Sequence, residues 1–133
     1  MQTLLMLKPD TVANGHTGRI IDLVTQNRFK ISDLRMFSFD RASAERFYAI
    51  HRERDFFPDL IAYMTSGPVV ALKIDGPEVV ERIRAFIGPT DPAKASPGSI
   101  RYMYGSSIQN NAVHASDSPE SAKKELAIVF GGS

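Results

Sequence analysis

The sequence contains no cysteine, and this absence excludes several classes of protein. A chain without thiols cannot be held by disulfide bonds, cannot bind a metal through thiolates and cannot use a cysteine nucleophile. The absence also suits a reducing compartment. We therefore expect a cytoplasmic protein.

Long apolar runs and an excess of charge are also missing. No run approaches the roughly 20 apolar residues that span a bilayer, and the chain opens on a short apolar strand instead of a basic segment with a cleavage site. The formal net charge is only +1, whereas nucleic-acid binding needs a clustered basic face. We expect neither a membrane nor a nucleic acid as a required partner, so any bound anion must be met by local groups.

The order of the apolar patterns predicts the fold class. A chain of 133 residues with 43% apolar residues fits one core, so we predict a single domain over residues 1–133. The predicted order is strand, helix, strand, two short helices, strand, helix, long loop, short strand and helix. Strands this close together, with helices between them, favour an α+β sandwich with a four-stranded antiparallel sheet. The predicted strands cover residues 4–7, 30–39, 69–74 and 112–115.

Three of these segments carry a more specific expectation. The continuous apolar run 4–7 predicts a strand that is central in the sheet and buried on both faces. The segment 30–39 alternates between apolar and charged residues, as a strand with one face toward water does. No periodicity extends through residues 88–110, and a loop of this length inside a compact domain is usually functional.

The strongest motif surrounds His114. This histidine lies among short polar residues just before a helix, which Ser118 caps and Pro119 begins. Glu125 shares a stripe with apolar residues of that helix, and burying an unpaired carboxylate costs several kcal/mol. Glu125 therefore lies at the edge of the stripe or meets a donor such as His114, Ser116 or a tyrosine. His114 is a candidate nucleophile, or an ordinary histidine in a short strand.

Other candidates for a site are scattered along the chain. Lys8 ends the first strand, where it either enters a cleft or marks the surface. Phe47 and Tyr48 are adjacent, so we expect that both cannot face one core and that Tyr48 borders another surface. Phe56 and Phe57 are predicted to divide in the same way between surface and core.

The long loop and the helix before it supply groups for binding an anion. Arginine suits a polyphosphate because its planar guanidinium donates several hydrogen bonds and stays charged. Arg84 precedes the loop, and Thr90 and Arg101 lie within it. Taken singly, each of the two arginines is better explained as a surface salt-bridge former.

Together these residues resemble the active-site signature of nucleoside diphosphate kinases. The resemblance extends over essentially the whole chain and rests first on Asn111, His114, Ser116 and Asp117, with Glu125 further on. Ala115 departs from it, because glycine is commoner there. The family's fold is ferredoxin-like. The resemblance implies that His114 takes the γ-phosphate of a nucleoside triphosphate, mainly ATP, and passes it to a nucleoside diphosphate, while Glu125 and Ser116 orient the imidazole.

The same resemblance assigns the nucleotide contacts. It implies that Lys8 and Asn111 hold the ribose 3′-hydroxyl and that Phe56 stacks on the base, next to Tyr48. The implied phosphate clamp consists of Arg84, Thr90 and Arg101. Mg²⁺ is expected to be held mainly by the nucleotide phosphates, since no cluster of carboxylates has metal-ligand spacing. Relatives form dimers, tetramers or hexamers, so a homo-oligomer is implied.

Two departures from the family pattern affect the long loop. Many members have Gly-Asp-Phe where this chain has Tyr102, Met103 and Tyr104, and many have Gly-Arg where it has Gln109 and Asn110. We expect these changes to alter loop packing and subunit contacts more than the chemistry.

Two other functions agree less well with the sequence. A non-catalytic ferredoxin-like module that binds RNA or another ligand is expected to show a glycine-aromatic ribonucleoprotein signature and a basic patch, and the sequence shows neither. A catalytically silent relative that serves as a scaffold is expected to lack some of the chemical residues, yet all of them are present.

Overall fold

The computed structural model describes residues 1–105 and 111–131. Its strands are β1 (Gln2–Leu7), β2 (Lys30–Phe37), β3 (Val69–Asp75) and β4 (Val113–Ala115). They form one antiparallel sheet in the order β2-β3-β1-β4. This arrangement confirms the predicted four-stranded α+β sandwich. The helices are α1 (Pro9–Ala13), α2 (Thr17–Gln26), α3 (Arg41–Phe47), α4 (Phe57–Met64), α5 (Val79–Ile87), α6 (Ile100–Tyr104) and α7 (Pro119–Phe130).

Strand β1 separates two hydrophobic layers. Because successive side chains of a strand point to opposite faces, Leu5 and Leu7 enter one layer while Leu4 and Met6 enter the other. Helices α2, α5 and α6 contribute to the first layer, and α3, α4 and α7 contribute to the second. The prediction that β1 is central and buried on both faces is confirmed, and its last residue leads directly into the site described below.

The prediction for β2 was wrong in one respect. Leu34 and Met36 were expected to lie on a dry face, but they are 48% and 57% exposed, and Asp33 and Arg35 are exposed as well. Among the described strands, β2 lies at the edge of the sheet and pairs only with β3. Alternation distinguishes the two faces of a strand, but it does not say what covers either face.

Short helices were missed in the sequence. Helix α1 follows the strand that Pro9 was expected to end, and α6 together with a 3-10 turn (Pro92–Lys94) lies in the segment that was predicted to be irregular. Each of these elements has at most five residues, so none is long enough to show a helical period. Part of that loop, with Gln109 and Asn110, lies outside the described residues.

Side-chain caps start helices α3 and α7, and the cap predicted at Ser118 is confirmed. Asp40 accepts a hydrogen bond from the Ser43 backbone, in a capping box that starts α3. The Ser118 hydroxyl accepts one from the Ser121 backbone at the start of α7. The second cap determines where α7 begins, and therefore the turn that carries Glu125. No described helix has the length and apolar character needed to span a membrane.

Candidate active site

His114, Glu125 and Ser116 form one hydrogen-bonded group. The His114 Nε2 atom lies 2.8 Å from Glu125 Oε1, and the Ser116 hydroxyl donates to the same oxygen at 2.8 Å. Glu125 therefore has the partners that its place on a buried stripe required. A carboxylate only accepts hydrogen bonds, so Nε2 carries the hydrogen and Nδ1 holds the lone pair in the uncharged ring.

Local chain geometry places His114 opposite α7. Val113 and Ala115 point into one hydrophobic layer, so the alternation of β4 sends His114 to the other side. Just before the strand, Ala112 has a φ of 79°, in the left-handed region that is costly for a residue with a side chain. Its carbonyl accepts hydrogen bonds from the Lys8 backbone at 3.0 Å and from the Thr11 hydroxyl at 2.9 Å, which hold this turn against α1.

Two aromatic rings confine the imidazole. Phe47 and Tyr48 both meet His114 edge-on, with ring centroids 5.1 Å and 5.9 Å away. The Tyr48 hydroxyl is buried and has no hydrogen-bond partner among the described residues. Burial, and then the charge of Glu125, raise the pKa of Tyr48, so this hydroxyl remains protonated.

A second hydrogen-bonded chain approaches from the end of β1. The Lys8 ammonium donates to Asn111 Oδ1 at 2.8 Å, and the Asn111 amide donates to the Thr90 carbonyl at 2.9 Å. Lys8 is only 7% exposed. Burial and, next, the neighbouring Arg101 lower the pKa of Lys8 to about 8, although Asp10 opposes the shift. These hydrogen bonds link Lys8, near the start of the sequence, to Asn111 and to Thr90 of the long loop.

Arg84 and Arg101 form a group of three cations with Lys8. The Arg101 guanidinium donates to the Gly88 carbonyl at 3.0 Å and to the Val113 carbonyl at 2.9 Å, while Arg84 donates to the Ala115 carbonyl at 3.4 Å. Burial, and then the charge of Arg84, lower the pKa of Arg101 to about 10. Charges that repel one another in this way are stabilised by a bound anion.

These groups line a cavity of about 540 Å³, within the usual size range of small-molecule sites. Of the ten residues to which the sequence analysis assigned a catalytic or nucleotide-binding role, nine line the cavity. The tenth, Ser116, does not line it but donates a hydrogen bond to Glu125. Phe56 is 45% exposed at the cavity, and the ring of His51 packs against it at 5.4 Å. The nine are Lys8, Tyr48, Phe56, Arg84, Thr90, Arg101, Asn111, His114 and Glu125.

Comparison with known proteins identifies the family. The sequence model of nucleoside diphosphate kinase matches residues 1–133. The nucleoside diphosphate kinase of Wolinella succinogenes is 49% identical over 131 residues, which are 98% of this chain and 96% of the relative. This chain belongs to the nucleoside diphosphate kinase family. It is a phosphotransferase, and the findings do not support the alternative of a non-catalytic ferredoxin-like module.

Solved structures of the family agree with the fold of this kinase. The Aquifex aeolicus nucleoside diphosphate kinase superposes with a TM-score of 0.95 at 46% identity, covering 98% of this chain and 95% of that one. A halophilic nucleoside diphosphate kinase from Halobacterium salinarum, in complex with CDP, gives 0.94 at 32% identity, covering 98% and 87%. The ferredoxin-like fold expected from the sequence is therefore confirmed.

The adjacent aromatic residues Phe47 and Tyr48 do not divide between core and surface in this kinase. They were expected not to share a core, yet both are buried in the same layer. Helix α3 ends at Phe47, and Tyr48 has a φ of −101° and a ψ of 22°. The side chains therefore do not follow helical spacing at this point. By contrast, Phe56 is exposed and Phe57 half-buried, as predicted.

Several residues of the cavity were missed in the sequence. Phe47 was assigned to the core, although its ring also borders His114. Asp117 lies in the motif but received no role, and hydrogen bonding by the Ser121 side chain lowers its pKa. Outside the cavity lining, the sequence also gave no sign of the hydrogen bond between Asp10 and Tyr63, which lie 53 positions apart.

Proposed function

We propose that this kinase transfers the γ-phosphate in two half-reactions through a phosphohistidine at Nδ1 of His114. The observation that carries the proposal is the hydrogen bond between Nε2 and Glu125, which leaves Nδ1 as the nucleophilic nitrogen. In the first half-reaction Nδ1 bonds to the γ-phosphorus while the bond to the β,γ-bridging oxygen breaks. The diphosphate leaves, and a second diphosphate then attacks the phosphohistidine through its terminal oxygen.

Glu125 has an electrostatic role in this proposal. When Nδ1 acquires phosphorus, the ring becomes positively charged, and the Nε2–H bond to the carboxylate strengthens. An interaction that is stronger in the transition state than in the ground state raises the rate of the chemical step. The Ser116 hydroxyl donates to the same oxygen and holds the carboxylate in position.

The cation group is proposed to bind the polyphosphate. Arg84, Arg101 and Lys8 are brought together at one cavity with Thr90, although the arginines lie 17 positions apart in the sequence. Phosphoryl transfer requires mainly positioning and charge stabilisation, which such a group supplies. We propose that Mg²⁺ enters with the nucleotide phosphates as part of the substrate.

We propose that the sugar and the base of the nucleotide bind against the remaining walls of the cavity. Lys8 and Asn111, joined by a hydrogen bond, form one wall, and we assign them to the ribose 3′-hydroxyl. Phe56 is assigned to the base, because a stacking ring accepts every base through its π-face. The Halobacterium relative was solved with CDP, which supports a nucleotide as the ligand of this chain also.

Labelling with γ-³²P-ATP in the absence of an acceptor tests the proposal. We expect an acid-labile, alkali-stable label on the wild-type protein and none on His114→Ala. His16→Ala serves as a control for loss of an imidazole, because His16 precedes α2 and does not line the cavity, and it should still be labelled. A normally labelled His114→Ala protein would refute the assignment.

We also propose that the protein is a homo-oligomer and works in the cytoplasm. The exposed Leu34 and Met36 on an edge strand support the first statement, because unpaired edges with apolar side chains favour association. The lack of cysteine supports the second. Measurement of the molecular mass in solution tests the oligomer, and a monomer at micromolar concentration would contradict it.

A further inference from the structure

Two residues that carry no assigned role in the reaction surround Lys8. The Tyr63 hydroxyl donates a hydrogen bond to the Asp10 carboxylate. The Lys8 ammonium lies 5.9 Å from the centroid of the Tyr63 ring, within the range of a cation–π contact. Asp10 belongs to α1, two residues after Lys8, whereas Tyr63 belongs to α4.

The position of this pair complements the hydrogen bond from Lys8 to Asn111. A lysine side chain has four rotatable bonds, so holding its ammonium at one place costs rotational freedom. Asn111 holds the ammonium by a 2.8 Å hydrogen bond, and the ring of Tyr63 approaches it separately. Tyr63 is itself oriented by Asp10. The ammonium is thus restrained by residues from different parts of the chain.

We propose that Asp10 and Tyr63 act as a pair of positioning residues that holds the Lys8 ammonium for the ribose 3′-hydroxyl of the nucleotide. The inference deepens the proposed function and rests on it. Neither residue is assigned a contact with substrate. Both act through Lys8, so their effect should depend on the substrate hydroxyl that Lys8 is proposed to bind.

The charges around Lys8 agree with this role. Arg101 of α6 faces the ammonium and disfavours its protonated form, whereas Asp10 of α1 favours it. Tyr63 of α4 and Asn111 also contact the ammonium. Burial, followed by the hydrogen bond to Asp10, raises the pKa of Tyr63, so its hydroxyl remains a donor to the carboxylate. Removing the charge of Asp10 should leave Lys8 with a lower pKa.

The first test measures the maximal rate of phosphoenzyme formation with ATP and with 3′-deoxy-ATP. Tyr63→Phe keeps the ring and removes only the hydroxyl that binds Asp10. We expect it to slow the reaction with ATP by about ten-fold, in line with the effect of small displacements at active sites. The rate with 3′-deoxy-ATP should hardly change, so the preference for the 3′-hydroxyl should shrink. Equal slowing with both nucleotides, or an unchanged preference, would overturn the inference.

The second test follows kcat/KM for phosphoenzyme formation against pH in Asp10→Asn. We expect the fall of activity at alkaline pH to begin about one pH unit lower than in wild type, because a nearby opposite charge typically shifts a pKa by about that much. Asp75→Asn is the matched control: it removes a carboxylate beside Gln2, at the opposite end of β1, and should follow the wild-type profile. An unshifted profile in Asp10→Asn would also overturn the inference.

Failure of the inference and failure of the proposed function are distinguishable. If wild-type protein formed no phosphohistidine at His114, both would be overturned. If wild-type protein were labelled normally but treated the two sugars alike, the sugar-binding roles of Lys8 and Asn111 and the positioning role of Asp10 and Tyr63 would be overturned, and the phosphohistidine would stand. Melting temperatures of the variants show whether a loss of activity reflects unfolding.

Discussion

Replacement of Glu125 by glutamine tests whether the carboxylate acts through its charge. Glu125 Oε1 accepts two hydrogen bonds of 2.8 Å, from His114 and Ser116. Glutamine keeps the shape and one acceptor oxygen. Hydrogen bonds to charged groups contribute about 1.5 to 3 kcal/mol and neutral ones about 0.5 to 1.5, so each bond loses roughly 1 to 1.5 kcal/mol.

Only the bond from His114 strengthens as the ring becomes charged, so this bond sets the expected size of the effect. A loss of about 1 to 1.5 kcal/mol in the transition state slows the chemical step by about five- to 13-fold. Single-turnover, quenched-flow measurement of phosphoenzyme formation with saturating ATP reports that step without product release. Glu120→Gln is the matched control, because Glu120 lies on the same helix but is exposed at its first turn.

The outcome separates charge from packing. If Glu125→Gln melted at the wild-type temperature and reacted at the wild-type rate, the charge of Glu125 would have no part in the reaction. Ser116→Ala should give a smaller loss, because it removes one donor to the carboxylate and keeps the bond to His114.

Two further predictions concern the ribose site and the charge of Lys8. 3′-Deoxynucleotides should form phosphoenzyme about ten- to 150-fold more slowly than ribonucleotides at saturation, because they lose about one hydrogen bond to a charged group. 2′-Deoxynucleotides should react nearly as fast as ribonucleotides. Equal maximal rates by stopped flow would contradict the roles of Lys8 and Asn111. The pKa of Lys8 is lowered to about 8, and Lys8 contributes as an ammonium, so its contribution is complete well below that pH and is lost as the pH rises through it. A profile of kcat/KM, which reports the unbound enzyme, should therefore fall on the alkaline side, and one that stayed level to pH 10 would contradict a charged Lys8 as the active form.

Much of the architecture was predictable because it depends on local chemistry. The continuous apolar run of β1 identified the central strand, and Ser118 with Pro119 identified the start of α7. The spacing of apolar residues on that helix also showed that Glu125 needed a partner. Each of these conclusions depends on residues that are close in sequence, where sterics, capping and side-chain periodicity act directly.

The site required the folded chain. His114 and Glu125 are neighbours because β4 and α7 pack against each other, and Lys8 meets Asn111 because β1 pairs with β4. Sequence could name these residues as candidates, but only the tertiary structure decided which nitrogen of His114 is engaged by the carboxylate. The exposure of Leu34 and the contact between Asp10 and Tyr63 likewise depend on long-range packing. Residues that are far apart in the sequence show no local pattern that predicts such a contact.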